Sequence, residues 1–127
     1  MLNDERGQAL ALAKSQAQAR ASEQADAKAR AEQERRGFVR WIILQTMDLW
    51  RPAPATLRSL VGVVQGEFAD ATEMEVRRHL SYLQERELIA VHTDPLGQVR
   101  AELKRFGVDV VEYTVEVEPG IARPPRI

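Results

Sequence analysis

Apolar and polar positions divide this chain into stretches of different period. From Phe38 to Trp50 apolar residues crowd all sides of a helical wheel: Phe38, Val39, Trp41, Ile42, Ile43, Leu44, Met47, Leu49 and Trp50. That distribution predicts a central helix buried on several sides. Arg51-Pro52-Ala53-Pro54 ends it, because proline breaks a helix and restricts the residue before it. A second helix is predicted from Thr56, with Leu57, Leu60, Val61 and Val64 as its buried face. Gly66 to Ala71 is the turn, with Phe68 expected to plug the core between the second and third helices. The third helix opens with Thr72-x-x-Glu75, a capping box. The threonine hydroxyl can accept from the Glu75 amide, and the glutamate can reach back to the Thr72 amide. Val76, Leu80 and Leu83 then share one face, and Leu88 and Ile89 close the segment.

The period changes to two beyond Ile89. Ile89–Thr93, the turn Asp94-Pro-Leu-Gly97, and Gln98–Leu103 read as a β-hairpin. Lys104 to Glu112 is expected as a short closing helix, with a strand as the rival because valine is frequent there. Thr114 to Glu118 alternates as a strand would, and Pro119-Gly120 with Arg123-Pro-Pro-Arg126 reads as an extended tail. The predicted fold is mainly α with a small β-hairpin. A helix-turn-helix running straight into a hairpin is the order of a winged helix-turn-helix domain, here preceded by a long N-terminal helix.

That N-terminal segment, residues 1–36, is a separate compositional region. Ala, Gln, Arg, Glu and Lys dominate it, and it has no aromatic residue. Alanine is the best helix former. Asp26 with Arg30, and Glu32 with Arg36, have the favourable acidic-then-basic spacing. Asn3 before Asp4 and Glu5 is a candidate cap. Residues 4–35 are predicted helical, roughly 45–50 Å at 1.5 Å per residue. Ala9, Ala13, Ala17, Ala21, Ala25 and Ala29 recur every fourth residue. They are the candidate oligomerisation stripe; the alternative is a solvated single helix. One alanine methyl contributes well under ~0.8 kcal/mol when partly buried, so the stripe could hold a dimer only weakly. Gly37 is the expected break. The expected organisation is a helical extension over 1–36, a domain over 37–118 and a tail over 119–127. Removal of 1–36 should leave the domain folded.

Composition narrows the function classes. No apolar run approaches a membrane span, and the N-terminus lacks the basic-then-apolar layout of a secretory signal. The chain has no cysteine, which removes disulfides, thiolate metal sites and a cysteine nucleophile. A cytoplasmic location is the simplest expectation. No nucleophile elbow, P-loop, metalloprotease helix or paired-carboxylate frame is present. Two histidines thirteen residues apart do not make a standard metal site. Neither an enzyme nor a cofactor is expected. Lys plus Arg is 18 and Asp plus Glu is 19. Residues 1–36 hold 7 basic and 6 acidic side chains, leaving residues 37–127 with 11 and 13, a formal net of −2. Phosphate neutralisation supplies much of the affinity for DNA. Any DNA contact must therefore come from a local patch, weak or shared between subunits.

Such a patch is legible. Met74, Arg77, Arg78, Ser81 and Glu85 point away from the Val76–Leu80–Leu83 face. Two adjacent arginines near the start of a capped helix packed on its other side are what a DNA-reading helix needs. Ser81 and Tyr82 could add phosphate hydrogen bonds, although Tyr82 also suits a half-buried packing position. Arg100 lies in the hairpin and His92 near its base; an arginine there could enter a minor groove. The turn Asp94–Gly97 holds no basic residue, so Lys104 and Arg105 just beyond are the better phosphate candidates. Glu73, Glu75 and Glu85 favour the alternative of a solvated face. His79 is expected to be packed and hydrogen-bonded. Trp41 and Trp50 are expected in the core or an interface.

The run from Arg77 to Ile89, RRHLSYLQERELI, resembles the recognition-helix end of bacterial winged-helix repressors of the ArsR and MarR kind. Arg77, His79, Leu80, Leu83, Leu88 and Ile89 occupy the family's characteristic places. Glu87 stands where glycine is usual, which predicts a different helix cap. Leu103-Lys-Arg-Phe-Gly107 resembles the family's Leu-Thr-x-x-Gly segment. Gly107-Val-Asp-Val-Val-Glu112 with Pro119-Gly-Ile-Ala-Arg-Pro124 resembles small winged-helix proteins of Mu-like phages and prophages. The resemblance covers 38–124. It implies a non-enzymatic DNA-binding protein, a phage-type transcriptional regulator or DNA-transaction accessory, acting on double-stranded DNA as a homodimer or with a partner protein. The alternative is a structural or adaptor protein that uses the winged helix and the N-terminal helix for assembly.

Overall fold

The computed structural model describes residues 2–126. The chain divides into two compact units, residues 1–34 and 35–127. A single helix, α1 (Leu2–Trp50), runs through the point of division. It begins at Leu2, so Asn3 lies inside it and is not its cap; the Asn3 side chain is outside the described residues. Asp4 and Glu5 still place negative charge in the first turn, where the helix dipole favours it. In the first unit every described side chain from Asp4 to Glu34 is exposed, the six stripe alanines included.

Gly37 does not break α1. A glycine inside a helix costs only about 1 kcal/mol relative to alanine. Here the missing side chain is used for close approach. The Ala122 amide donates to the Gly37 carbonyl at 3.0 Å. A Cβ at position 37 would lie 3.2 Å from both the Ala122 Cβ and its amide nitrogen. The expected tail is thus part of the packed unit. Ile121 is 4% exposed, and Arg123 donates to the Val110 and Val115 carbonyls. The compact unit also begins two residues before Gly37, at Arg35.

Seven elements follow in the order α1, β1 (Ala55–Thr56), α2 (Leu57–Glu67), α3 (Glu73–Glu85), β2 (Ile89–Thr93), β3 (Val99–Leu103) and α4 (Arg105–Val111). The molecule is mainly helical with a small antiparallel sheet of order β1-β3-β2. The hairpin register pairs Ile89 with Leu103 and Thr93 with Val99. Strand β1 was not foreseen. Its two residues pair Ala55 with Ala101 and Thr56 with Arg100. So short a strand carries no period of its own; it exists because β3 offers an edge. Thr56 ends that strand and caps α2 by accepting from the Ser59 amide at 3.1 Å.

The core is built by Val39, Ile43, Leu44 and Met47 of α1, Leu60 and Val64 of α2, Val76, Leu80 and Leu83 of α3, and Leu88, Ile89 and Ala101 of the hairpin region. Burial on all sides of α1 holds only for Trp41–Leu44; Phe38 is 39% and Leu49 is 79% exposed. Phe68, in the α2–α3 turn, packs against the core as expected but is only partly buried. Its half-buried ring meets Phe38 edge-on at 5.9 Å, on the α1 side. The alternation at Thr114–Glu118 holds in burial as far as Val117, with Val115 and Val117 half-buried about exposed Glu116, but Glu118 is half-buried too and the segment is not a strand. It joins no strand of the sheet; Val115 and Val117 pack against the core, and Glu118 accepts from Tyr82 and Arg86.

The end of α3 corrects a further expectation. The Leu88 amide donates to the Leu83 carbonyl at 3.1 Å and the Glu87 amide to the Gln84 carbonyl at 3.0 Å. This is the Schellman closure that glycine normally completes. Glu87 adopts the same left-handed backbone, φ 64°, and Lys104 holds its carboxylate at 2.6 Å. Gly107 has a firmer requirement. A Cβ there would collide with the Leu88 carbonyl oxygen and touch Leu103 at 3.0 Å.

These contacts set expected stabilities, each measured by urea unfolding. Leu80→Ala, at a side chain 3% exposed, should cost roughly 2–5 kcal/mol. Gly107→Ala should cost roughly 1–3 kcal/mol because a backbone oxygen must move. Glu87→Gly should stay within about 1 kcal/mol of wild type, since relief of the left-handed conformation offsets the lost ion pair. A larger loss would mean that the Lys104 pair, not the backbone, governs this cap.

Candidate nucleic-acid interface

Helix α3 has three faces. The apolar one, Val76, Leu80 and Leu83, is buried. The outer one presents Met74, Arg77, Arg78, Ser81 and Glu85, all exposed. Thr72 fixes the start of the helix by accepting from the Glu75 amide at 3.1 Å. Only this half of the capping box is used as expected. The Glu75 carboxylate turns instead to Arg35 of α1, whose Nε and one terminal nitrogen each donate at 3.0 Å. A two-point bond to a guanidinium is stronger than one to a neutral amide.

The third face is a polar stripe at helical spacing: Glu75, His79, Tyr82 and Arg86. Two arginines of α1 meet it. Besides Glu75, Arg35 holds Asp70 in the α2–α3 turn at 2.9 and 3.0 Å, and its guanidinium lies over Phe68, 4.6 Å from the ring centre. The Glu75 hydrogen bond is the main cause that raises the Arg35 pKa further. Arg40 donates from Nε to His79 Nδ1 at 3.3 Å and to the Gly120 carbonyl at 2.9 Å. Burial lowers its pKa. Because His79 Nδ1 accepts from Arg40, the neutral imidazole carries its proton on Nε2. Burial, then the Arg40 charge, push His79 down from 6.5 to about 4.

Tyr82 does not extend the outer face. Its ring lies between the guanidinium groups of Arg40 and Arg86, 3.4 and 3.6 Å from the ring centre. Its hydroxyl donates to Glu118 at 2.5 Å, and burial, followed by that bond, raises its pKa. A phosphate would have to displace this partner.

The hairpin residues are also engaged within the fold. Arg100, expected to be free for a minor groove, bonds Asp94 at 3.0 Å and Gln98 at 3.1 Å. Asp94 organises the turn by accepting from the Leu96 and Gln98 amides, each at 2.9 Å. The Gln98 amide, then Arg100, hold its carboxyl below the usual range. This leaves Leu96 at the tip 92% exposed. His92 is exposed. Lys104 is bound to Glu87, whereas Arg105, with 91% of its side chain exposed, is only 3.6 Å from Asp109. On α3, Arg77 pairs with Glu73 at 3.2 Å. Arg78 has no ion pair among the described residues.

One cation was missed. Exposed Arg58 of α2 shares with Arg77 a groove of about 600 Å³ between α2, the first turn of α3 and the hairpin. Its floor includes Leu57, Val61 and Val99. The outward position of Arg58 beside buried Leu57 and Leu60 was readable; that α2 faces the hairpin was not. Among the described residues no cluster of three or more His, Asp or Glu could hold a metal ion, and no helix is long and apolar enough to cross a membrane. No protein-family model, curated protein or solved structure matches the chain.

The buried histidine implies a pH dependence. Arg40 and Arg35, Arg36 and Glu75 are the charges around His79. The unfolded chain takes up a proton on this residue below about pH 6.5, the folded one only near pH 4. Stability is therefore lost as pH falls through that window. Between pH 7 and 5 wild type should lose roughly 2 kcal/mol more than His79→Gln, which keeps an acceptor but cannot titrate. Urea midpoints of the two proteins at both pH values measure this, and parallel losses would show that the imidazole is not held neutral.

Proposed function

We propose that residues 35–127 are a winged helix that binds double-stranded DNA without catalysing a reaction, in the manner of small phage-type regulators or DNA-transaction accessories. The observation that carries this reading is the outer face of α3. Met74, Arg77, Arg78 and Ser81 are exposed on a helix that is capped at its start and packed along its other sides. In this reading α3 enters a major groove, Arg78 meets a phosphate or a guanine edge directly, Arg77 joins it by exchanging its solvated Glu73 pair for a phosphate, and Ser81 adds a hydrogen bond. The order α2, turn, α3, β2, β3 supports it, because the hairpin then follows the reading helix as a wing. Arg58 and Arg105 supply backbone contacts. The residues engaged elsewhere, Tyr82, Arg100 and Lys104, contribute to positioning rather than to contact.

Affinity in this scheme is modest. The formal charge of −2 over residues 37–127 offers little general attraction to phosphate, so two copies on one site are the working arrangement. The groove with its apolar floor of Leu57, Val61 and Val99 favours a second reading, in which the same unit docks protein.

Fluorescence anisotropy on genomic duplexes at several salt concentrations separates the two. Arg77→Ala with Arg78→Ala should weaken binding and leave the fold intact. Each lost phosphate contact should flatten the slope of log affinity against log salt by about 0.9. A lost base contact should instead cost roughly 1–3 kcal/mol at one position of the site. Absence of wild-type binding at low salt and micromolar protein would make protein docking the leading reading.

A further inference from the structure

We infer that Arg35 is a positioning residue for the α3 surface: by holding Glu75 it keeps Arg78 an unpaired cation. The inference rests on the DNA-binding reading for its function, but the geometry stands without it.

Helical neighbours at i−4, i−3, i+3 and i+4 are the ones within reach of a side chain on its own helix. For Arg77 the i−4 neighbour is Glu73, and the two are paired at 3.2 Å. This pair shows what happens on this face when a carboxylate is left available. For Arg78 the corresponding four neighbours are Met74, Glu75, Ser81 and Tyr82. Glu75 is the one acid among them. It is not paired with Arg78, because both its oxygens accept from Arg35 at 3.0 Å.

Arg35 is itself fully engaged. Its remaining terminal nitrogen takes both oxygens of Asp70, and its face covers Phe68. Only arginine offers two donor edges and a stacking face at once. The side chains of Arg35 and Glu75 are each 26% exposed, so the pair is sheltered in comparison with Arg77–Glu73, at 50% and 61%. A sheltered two-point bond outcompetes a solvated i,i+3 pair. The consequence is a division of labour: Arg35 absorbs Asp70 and Glu75, Arg77 is balanced by the solvated Glu73, and Arg78 is left to a ligand.

Three full-length variants test this: R35Q, E75Q and R35Q/E75Q. Each is titrated with duplex across salt concentrations, and the Arg78 Nε–Hε resonance is followed by NMR in the absence of DNA. R35Q frees Glu75 to pair with Arg78. It should weaken binding roughly three- to tenfold and flatten the salt slope by about 0.9, the loss of one phosphate contact. Its Arg78 resonance should shift. R35Q/E75Q lacks the bridge altogether but also lacks the competing acid, so both readouts should return to wild type. A merely structural bridge would leave the double variant as weak as R35Q, and that result overturns the inference. So does an Arg78 resonance that stays in place in R35Q. If R35Q does not fold, E75Q decides alone: it should match wild type in slope and resonance, and a loss of binding would refute the idea. Wild type that binds no duplex, with the Arg78 resonance moving as expected, would refute the DNA reading and leave the sequestration of Glu75 in place.

Discussion

Arg35 and Arg40 of α1, set against the polar stripe of α3, are the constraint on which the second unit depends. They grip α3 at two points, Glu75 and His79 with Tyr82, and so fix its rotation as well as its place. Apolar packing through Val76, Leu80 and Leu83 alone would allow the helix to roll, because hydrophobic attraction is not directional. Guanidinium bonds are directional. They hold in place the rotation that the buried apolar face selects, with Arg77 and Arg78 outward. Arg40 extends the same grip to the C-terminal segment through the Gly120 carbonyl, while Arg86 and Tyr82 close it from the other side on Glu118.

This network explains how a nearly neutral unit can still present a cation. Most basic side chains are spent internally: Arg35 on Asp70 and Glu75, Arg77 on Glu73, Arg86 on Glu118, Arg100 on Asp94, Lys104 on Glu87. The exposed pairs among them contribute about 0–1 kcal/mol each to stability. Their larger effect is on what remains available. Arg78 and Arg58 stay exposed without ion pairs among the described residues, on neighbouring helices. A count of charges over the sequence cannot separate engaged cations from available ones.

What could be read from the sequence was local. The start of the second helix at Thr56, the capping threonine at 72, the apolar face of α3, the hairpin about Asp94–Gly97 and the closing helix all depend on neighbours within a few residues, and each leaves a period or a turn signature. The outward positions of Met74, Arg77, Arg78 and Ser81 follow from the same 3.6-residue period. The long N-terminal helix was likewise foreseen from its alanine content, but not its continuation through Gly37.

What could not be read were partners far apart in the chain. Strand β1 needs β3, forty-odd residues on. Gly37 stays helical and useful because Ala122 arrives against it. Glu87 can stand in for glycine because Lys104 is near. Tyr82, Arg100 and Glu75 looked available for a ligand or a cap, and each was taken by a partner with better geometry. Helix period and capping are set by bonds between near neighbours, so sequence determines them directly. Which charged group pairs with which is a competition among all groups that folding brings within about 3 Å, and only the assembled structure has held that competition.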